Sequence, residues 1–317
     1  MNHQKAKTIL FLTALAAGTI HVINRFQYTI STGKELLAFS DNRYYEWRFG
    51  KIRYRKKGTG TPLLLLHDLT VGSSSYEFSK IFDELSKKHE VYSLDMLGYG
   101  LSDKPDITFT NYLYVQMITD FIKNVIGRKT DIVATGDSFP IAVMVCHNNT
   151  ETTRKLVGIN PQSLFRLNQI PSKRTKILKF LLDTPVLGTF IYNMQTSSTA
   201  FQKIFEEDYF YNHKNISEKD ILAYVEAAHT PDYHSKHAYA SYMGRYTNAN
   251  IIHAVKELNN SIYFINGQEK NDITNINENY IYYNHAIESS FIPKTKQLPH
   301  LEQPEKVLFV LDLYLNS

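Results

Sequence analysis

The chain has 317 residues, 43% hydrophobic and 21% charged, which is enough apolar material for a large core and excludes a disordered chain. Its 35 Lys and Arg against 31 Asp and Glu leave a formal charge of +4, scattered along the sequence, so nucleic acid is not an expected partner. A single cysteine, Cys146, excludes an intramolecular disulfide and a Cys-based zinc site.

Lys5 and Lys7 precede a mostly apolar run of about sixteen residues from Thr8 to Ile23, just short of the roughly 17–25 that span a bilayer. The expectation is an uncleaved signal anchor over 1–26, attaching the protein to a membrane through residues 8–24. Cleavage at Ala14-Leu15-Ala16 would make the protein secreted, and packing of the run on the domain would make it cytoplasmic. Residues 27–43 are polar and read as a leading loop. Tyr44–Arg48 and Lys51–Arg55 flank Phe49-Gly50 as a β-hairpin.

Leu63–Leu66 is a continuous apolar strand ending at His67-Asp68-Leu69. Ser74–Lys88 has helical spacing, Glu90–Asp95 is a strand, and Gly98–Asp103 is rich in turn residues. Asn111–Ile126 is helical. Asp131–Thr135 is a strand, Gly136-Asp137-Ser138 a turn, and Phe139-Pro140-Ile141 opens an apolar helix with Pro140 in its first turn, where proline is tolerated. Leu156–Asn160 is the sixth strand.

Residues 161–248 then carry helical segments without strands: Lys173–Leu182, Leu187–Met194, Thr199–Glu206 and Glu218–Ala228. Their aromatics, among them Phe165, Phe180, Phe190, Tyr192, Phe201 and Tyr209–Tyr211, are candidates to line an apolar pocket. Alternation resumes over 249–317, with strands at Ser261–Ile265 and Glu288–Ile292 and helices at Ile251–Leu258, Asn275–Tyr283 and Pro304–Leu315. The fold class is α/β, a mostly parallel sheet flanked by helices. Residues 27–160 and 249–317 form its two parts, with a helical cap over 161–248 inserted after the sixth strand. Ligands of such sheets bind at the carboxyl ends of the strands, where His67, Asp95, Gly136–Ser138 and Asn160 lie.

Four stretches in this order resemble the α/β-hydrolase fold family, in the branch with a helical cap. Leu63–Asp68 is similar to the strand that ends in His-Gly. Asp95-Met96-Leu97-Gly98-Tyr99-Gly100-Leu101-Ser102 matches Asp-x-x-Gly-x-Gly-x-Ser. Gly136-Asp137-Ser138 resembles the nucleophile elbow, and Leu298-Pro299-His300-Leu301-Glu302-Gln303-Pro304 resembles the histidine-bearing C-terminal stretch.

The resemblance implies a serine hydrolase, esterase- or lipase-like, acting on a small apolar ester or related acyl substrate, with no cofactor and no metal. Ser138 is the expected nucleophile. Asp137 is the alternative, because dehalogenase and epoxide-hydrolase relatives place Asp at the elbow. The oxyanion donors would be the N–H groups of Phe139 and Leu69, with the Asp68 side chain turned away. The acid would be Glu269 or Asp272, on either side of Lys270, which stands at the family's usual position. The base would be His300, because the family's usual histidine position is Gln297, which cannot take up a proton. A second implication follows from that glutamine: a catalytically impaired relative that binds a ligand or partner in the same pocket.

Overall fold

The computed structural model describes residues 18–20, 22, 24–26, 29, 33, 35–231 and 234–316. Most of the expected anchor therefore lies outside the described residues, and among them no helix is long and apolar enough to cross a membrane. The strands are β1 (Asn42–Trp47), β2 (Gly50–Lys57), β3 (Thr61–Leu66), β4 (His89–Leu94), β5 (Thr130–Thr135), β6 (Thr153–Ile159), β7 (Ser261–Gly267) and β8 (Glu288–Ile292). They form one sheet in the order β1-β2-β4-β3-β5-β6-β7-β8. The β1–β2 hairpin and the β2–β4 pair are antiparallel, and every pair from β3 to β8 is parallel.

Leu63 to Leu66 of β3 and all six residues of β5 are buried, as strands covered on both faces must be. The helices of the core are α1 (Phe82–Leu85), α2 (Asn111–Phe121) and α3 (Phe139–Asn148). Those of the cap are α4 (Leu164–Leu167), α5 (Lys173–Asp183), α6 (Leu187–Gln195), α7 (Ser198–Ile204), α8 (Glu218–His229) and α9 (Ser235–Met243). The chain then returns to the core through α10 (Ile252–Glu257), α11 (Ile273–Tyr283), α12 (Pro299–Glu302) and α13 (Pro304–Asn316). One face of the sheet packs on Phe121, Val143 and Tyr280, and the other on Phe78, Phe82, Val307 and Leu311.

Three local expectations change. Ser74–Lys88 is not one helix but a 3₁₀ turn over Ser75–Phe78 followed by α1. Polar ties hold that turn: the Ser75 N–H donates to Asp95 at 2.7 Å, and Glu77 accepts from the Asp68 N–H at 3.1 Å. The leading segment is docked on the cap from Leu36 onward, where the Leu36 and Leu37 N–H groups donate to the Glu226 carboxylate of α8 at 2.8 and 3.1 Å. The cap aromatics mostly pack on one another: Tyr192, Phe201, Phe205, Phe210 and Tyr224 form its own core. Phe165 and Phe180 face solvent.

Asp95-x-x-Gly-x-Gly-x-Ser is a structural device. Asp95 accepts N–H bonds from Ser75 and Leu101 at 2.7 and 2.8 Å and pairs with Arg53 at 3.5 Å, both side chains being 1% exposed. The Ser102 hydroxyl donates to the Asp95 carbonyl at 2.6 Å and accepts the Arg53 N–H at 2.8 Å. Gly100 has φ +49, and a Cβ there would strike the Asp95 carboxylate. His67 bridges the adjacent strand ends, its Nε2 accepting the Met96 N–H at 2.9 Å and its Nδ1 lying 2.6 Å from the Asp68 carbonyl. Burial lowers its pKa to about 4, against the opposing pull of Asp95, so it is a neutral tie.

Candidate active site

Strand β5 ends at Thr135, and the chain reverses into α3 through a 3₁₀ turn over Gly136–Ser138. The residue at the apex is Gly136, with φ +53, a left-handed conformation costly for any side chain. Ser138 has φ −82 and opens the helix. Its hydroxyl is fully buried and donates to the His67 carbonyl, stitching the helix start to the end of β3. That side chain is turned away from the cleft.

Two main-chain N–H groups converge beside this turn. In this architecture the two N–H groups belong to the residue after the nucleophile and to the loop after β3. Here the converging pair is Asp137 N–H and Leu69 N–H, at 2.8 and 2.7 Å from one common acceptor. The residue before Asp137 is Gly136, so the turn carries no side chain at the position that directly precedes this pair's Asp137 N–H. The Phe139 N–H, expected in the hole, instead donates to the Gly136 carbonyl within the turn.

The common acceptor is Oδ1 of Asp68, the side chain expected to point away. Its carboxylate lies between these two N–H groups, with Oδ2 accepting from Gln297 Nε2 at 3.2 Å. A Cβ on residue 136 would sit 2.5 Å from the Asp68 carboxyl carbon and 2.6 Å from Oδ1. Glycine at the apex and aspartate in the hole therefore belong together: one leaves the space that the other fills. Burial, then the neighbouring Asp137 charge, push the Asp68 carboxyl up to about 7, against the two N–H bonds and Lys270.

The two loops facing this point carry the remaining replacements. Lys270, at the acid position, donates from Nζ to the Asn160 carbonyl at 3.1 Å. Burial lowers its pKa to about 8, opposed by Asp68 and Asp137. Asn160 holds both loops in place. Its Nδ2 donates to the Lys296 and Gln297 carbonyls at 2.9 and 2.8 Å, and its Oδ1 accepts the Gly267 N–H at 2.9 Å. Glu269 and Asp272, the candidate acids, stand exposed on the rim of the cleft. Asp137 faces the cleft and accepts from Tyr242 Oη at 3.1 Å and Gln162 Nε2 at 3.4 Å, with Arg166 at 3.8 Å.

His300, the expected base, is on α12 and fully buried, stacked on Phe78 at 5.3 Å between ring centroids. Neither ring nitrogen has a hydrogen-bond partner, and burial followed by the Lys80 charge lowers its pKa to about 3. It is a core ring and does not line the cleft. The cap histidine His229 is likewise internal, bonded to the Val225 carbonyl at 2.7 Å, and His237 pairs with Asp183 at 2.9 Å.

The cleft has a volume of about 420 Å³ between the strand ends and the cap. Its walls mix polar and apolar surface, with more charged side chains than the expected apolar acyl pocket. Six carboxylates (Asp68, Asp137, Glu207, Asp208, Glu269 and Asp272) face three cations, Arg166, Lys270 and Lys296, with Tyr209 and Tyr242 as the aromatic surfaces. Arg166, Gln162 and Tyr242 are cap residues that no sequence motif marks, and Asp68 and Lys270, which depart from the family pattern, are central to the cleft.

No family model matches the chain. A 2-hydroxy-6-oxo-6-(2'-aminophenyl)hexa-2,4-dienoic acid hydrolase of Metapseudomonas resinovorans is 31% identical over 112 residues, 34% of this chain and 39% of that protein. A 2-hydroxymuconate semialdehyde hydrolase of Pseudomonas sp. (strain CF600) is 26% identical over 102 residues, 32% of this chain and 36% of that protein. The chain thus spans less than two-fifths of the length of these curated relatives. Among solved structures, a serine hydrolase of carbazole degradation superposes with a TM-score of 0.69 at 17% identity, over 87% of this chain and 98% of the other. An epoxide hydrolase superposes at 0.70 and 18% identity, over 87% and 98%. A putative α/β hydrolase from Nostoc does so at 0.71 and 15%, over 87% and 98%. With its parallel sheet, strand order and cap, the chain has the α/β-hydrolase fold.

Proposed function

We propose that this chain is a binding member of the fold, which keeps the capped cleft but not the elbow nucleophile, and that it takes a small polar ligand bearing a cationic group. The observation that carries the proposal is the Asp68 carboxylate in the oxyanion hole beside Gly136. Ester cleavage by a covalent route needs a nucleophile, a base and free oxyanion donors. Here the elbow offers no side chain, the base position offers an amide, and the donors already have an acceptor. What remains is recognition. The carboxylate excess concentrates positive charge at the cleft, and the Tyr242 ring already stacks one cation, the Arg166 guanidinium at 5.1 Å.

A thermal-shift panel of small amines, quaternary ammonium compounds and carboxylates of matched size tests the ligand class. Cations are expected to raise the melting temperature, and Asp137→Asn to weaken that effect roughly tenfold in affinity, the size of one lost charge contact. Stabilisation by the carboxylates alone would contradict it. A second reading retains hydrolysis, the activity named for the relatives, with water activated by Asp68. The near-neutral pKa of a carboxyl in a cleft favours that reading. It would require Asp68 to leave the hole, and turnover of a small ester that is lost in Asp68→Asn would select it.

A further inference from the structure

The cap carries an apolar stripe turned to solvent. Helix α5 buries Leu182 and turns outward Ile177, Phe180 and Leu181, which are 60%, 69% and 40% exposed. At 100° per residue these three fall on one side of the helix, and Lys173 and Arg174 share that side. Lys176 lies at its edge. Flanking the helix, Phe165 and Ile170 before it and Leu187 after it are also exposed, at 80%, 78% and 48%. Between residues 165 and 187 the only acid is Asp183, which is held by Lys179 at 2.6 Å and His237 at 2.9 Å. No ion pair engages Lys173, Arg174 or Lys176 among the described residues.

An exposed helix with a wide apolar stripe and unpaired cations beside it has the composition of an interfacial helix, one that lies in the headgroup layer with its apolar side chains in the acyl boundary. A protein partner would need shape and a charge pattern; a bilayer needs only apolar area and cations, which is what this face supplies. Asn24 is held on the same cap. The Asn24 side chain accepts from Asn193 Nδ2 of α6 at 2.8 Å, and Asn24 is itself buried. In the sequence, Asn24 directly follows the apolar run from Thr8 to Ile23.

We infer that the outer face of α5 docks on the surface of an anionic lipid bilayer, with Ile177, Phe180 and Leu181 inserted and Lys173, Arg174 and Lys176 meeting the headgroups. The inference rests on this face alone and stands or falls independently of what the cleft binds.

Co-flotation of the full chain with phosphatidylglycerol–phosphatidylcholine vesicles and with pure phosphatidylcholine vesicles tests it. Binding is expected to favour the anionic vesicles and to weaken with salt. Lys173→Glu combined with Arg174→Glu and Lys176→Glu should lower anionic-vesicle affinity roughly a hundredfold, and Phe180→Ser with Leu181→Ser should lower it for both vesicle types. All five positions are exposed, so circular dichroism should show unchanged folding. Equal binding of wild type and both variants would assign attachment to the amino-terminal run and overturn the proposal. So would the absence of vesicle binding together with a dimer that Phe180→Ser dissociates, which would make the face a contact between two copies of this chain.

Discussion

Gly136→Ala is expected to lower the free energy of unfolding by about 3 kcal/mol or more, measured by urea denaturation at neutral pH. Two costs combine. The backbone at 136 has φ +53, where a non-glycine residue pays on the order of 1–3 kcal/mol. The new methyl would also meet the Asp68 carboxyl carbon at 2.5 Å, at the end of a strand where neither partner can retreat freely. The Asp68 carboxylate would then be driven from its two N–H donors, stranding buried polar groups at about 1–3 kcal/mol. The double variant Gly136→Ala with Asp68→Gly separates the terms. It removes the clash and keeps the backbone cost, so its destabilisation should fall short of the sum of the single changes by about 1–3 kcal/mol. Additive effects would show that the two positions are not coupled as the geometry requires.

Arg53→Met is the second large effect. Arg53 and Asp95 are both 1% exposed and 3.5 Å apart, and methionine would leave the carboxylate buried with its N–H donors but no cation. Removing one partner of such a pair costs about 3–5 kcal/mol. Burial opposes ionisation of Asp95, but the Arg53 charge and the Leu101 and Ser75 N–H groups outweigh it and hold its pKa below the ordinary 3.8. A depressed carboxyl pKa contributes stability above the unfolded value, lost as pH falls through the folded one. The gap between wild type and Arg53→Met should therefore be full at neutral pH and shrink below about pH 3.8. A gap independent of pH down to the acid transition would show that Arg53 acts by packing alone.

The architecture was legible because its signals are repeated. Buried strand segments such as Leu63–Leu66 and Ile262–Ile265 are apolar throughout, so a parallel sheet covered on both faces follows from composition. The break in alternation after β6 marks the cap. Helix α9 escaped because Ser235, Lys236 and His237 are buried polar residues that hide any apolar period.

The site was legible only in its absences. Gln297 at the base position and Lys270 at the acid position could be read directly, but the elbow register could not. Gly136-Asp137-Ser138 offers a serine two residues past a glycine, and the pattern was aligned on that serine. The register is set by where the backbone turns, and the positive φ is at Gly136. With the apex moved back two residues, Ala134 and Ser138 become the small flanking residues, and every group expected to activate Ser138 loses its target. Asp68 was expected to turn outward because a carboxylate repels a developing oxyanion. Asp68 instead turns inward, because the Leu69 and Asp137 N–H groups both donate to its Oδ1.

The central claim is that no nucleophile stands at the elbow. Exposure of the folded protein to an active-site fluorophosphonate probe, read by intact mass, tests it most directly. The geometry predicts that wild type and Ser138→Ala are equally unlabelled, because the Ser138 hydroxyl is buried against the His67 carbonyl with no imidazole to activate it. Stoichiometric labelling of the wild type that disappears in Ser138→Ala would contradict it and restore the serine hydrolase.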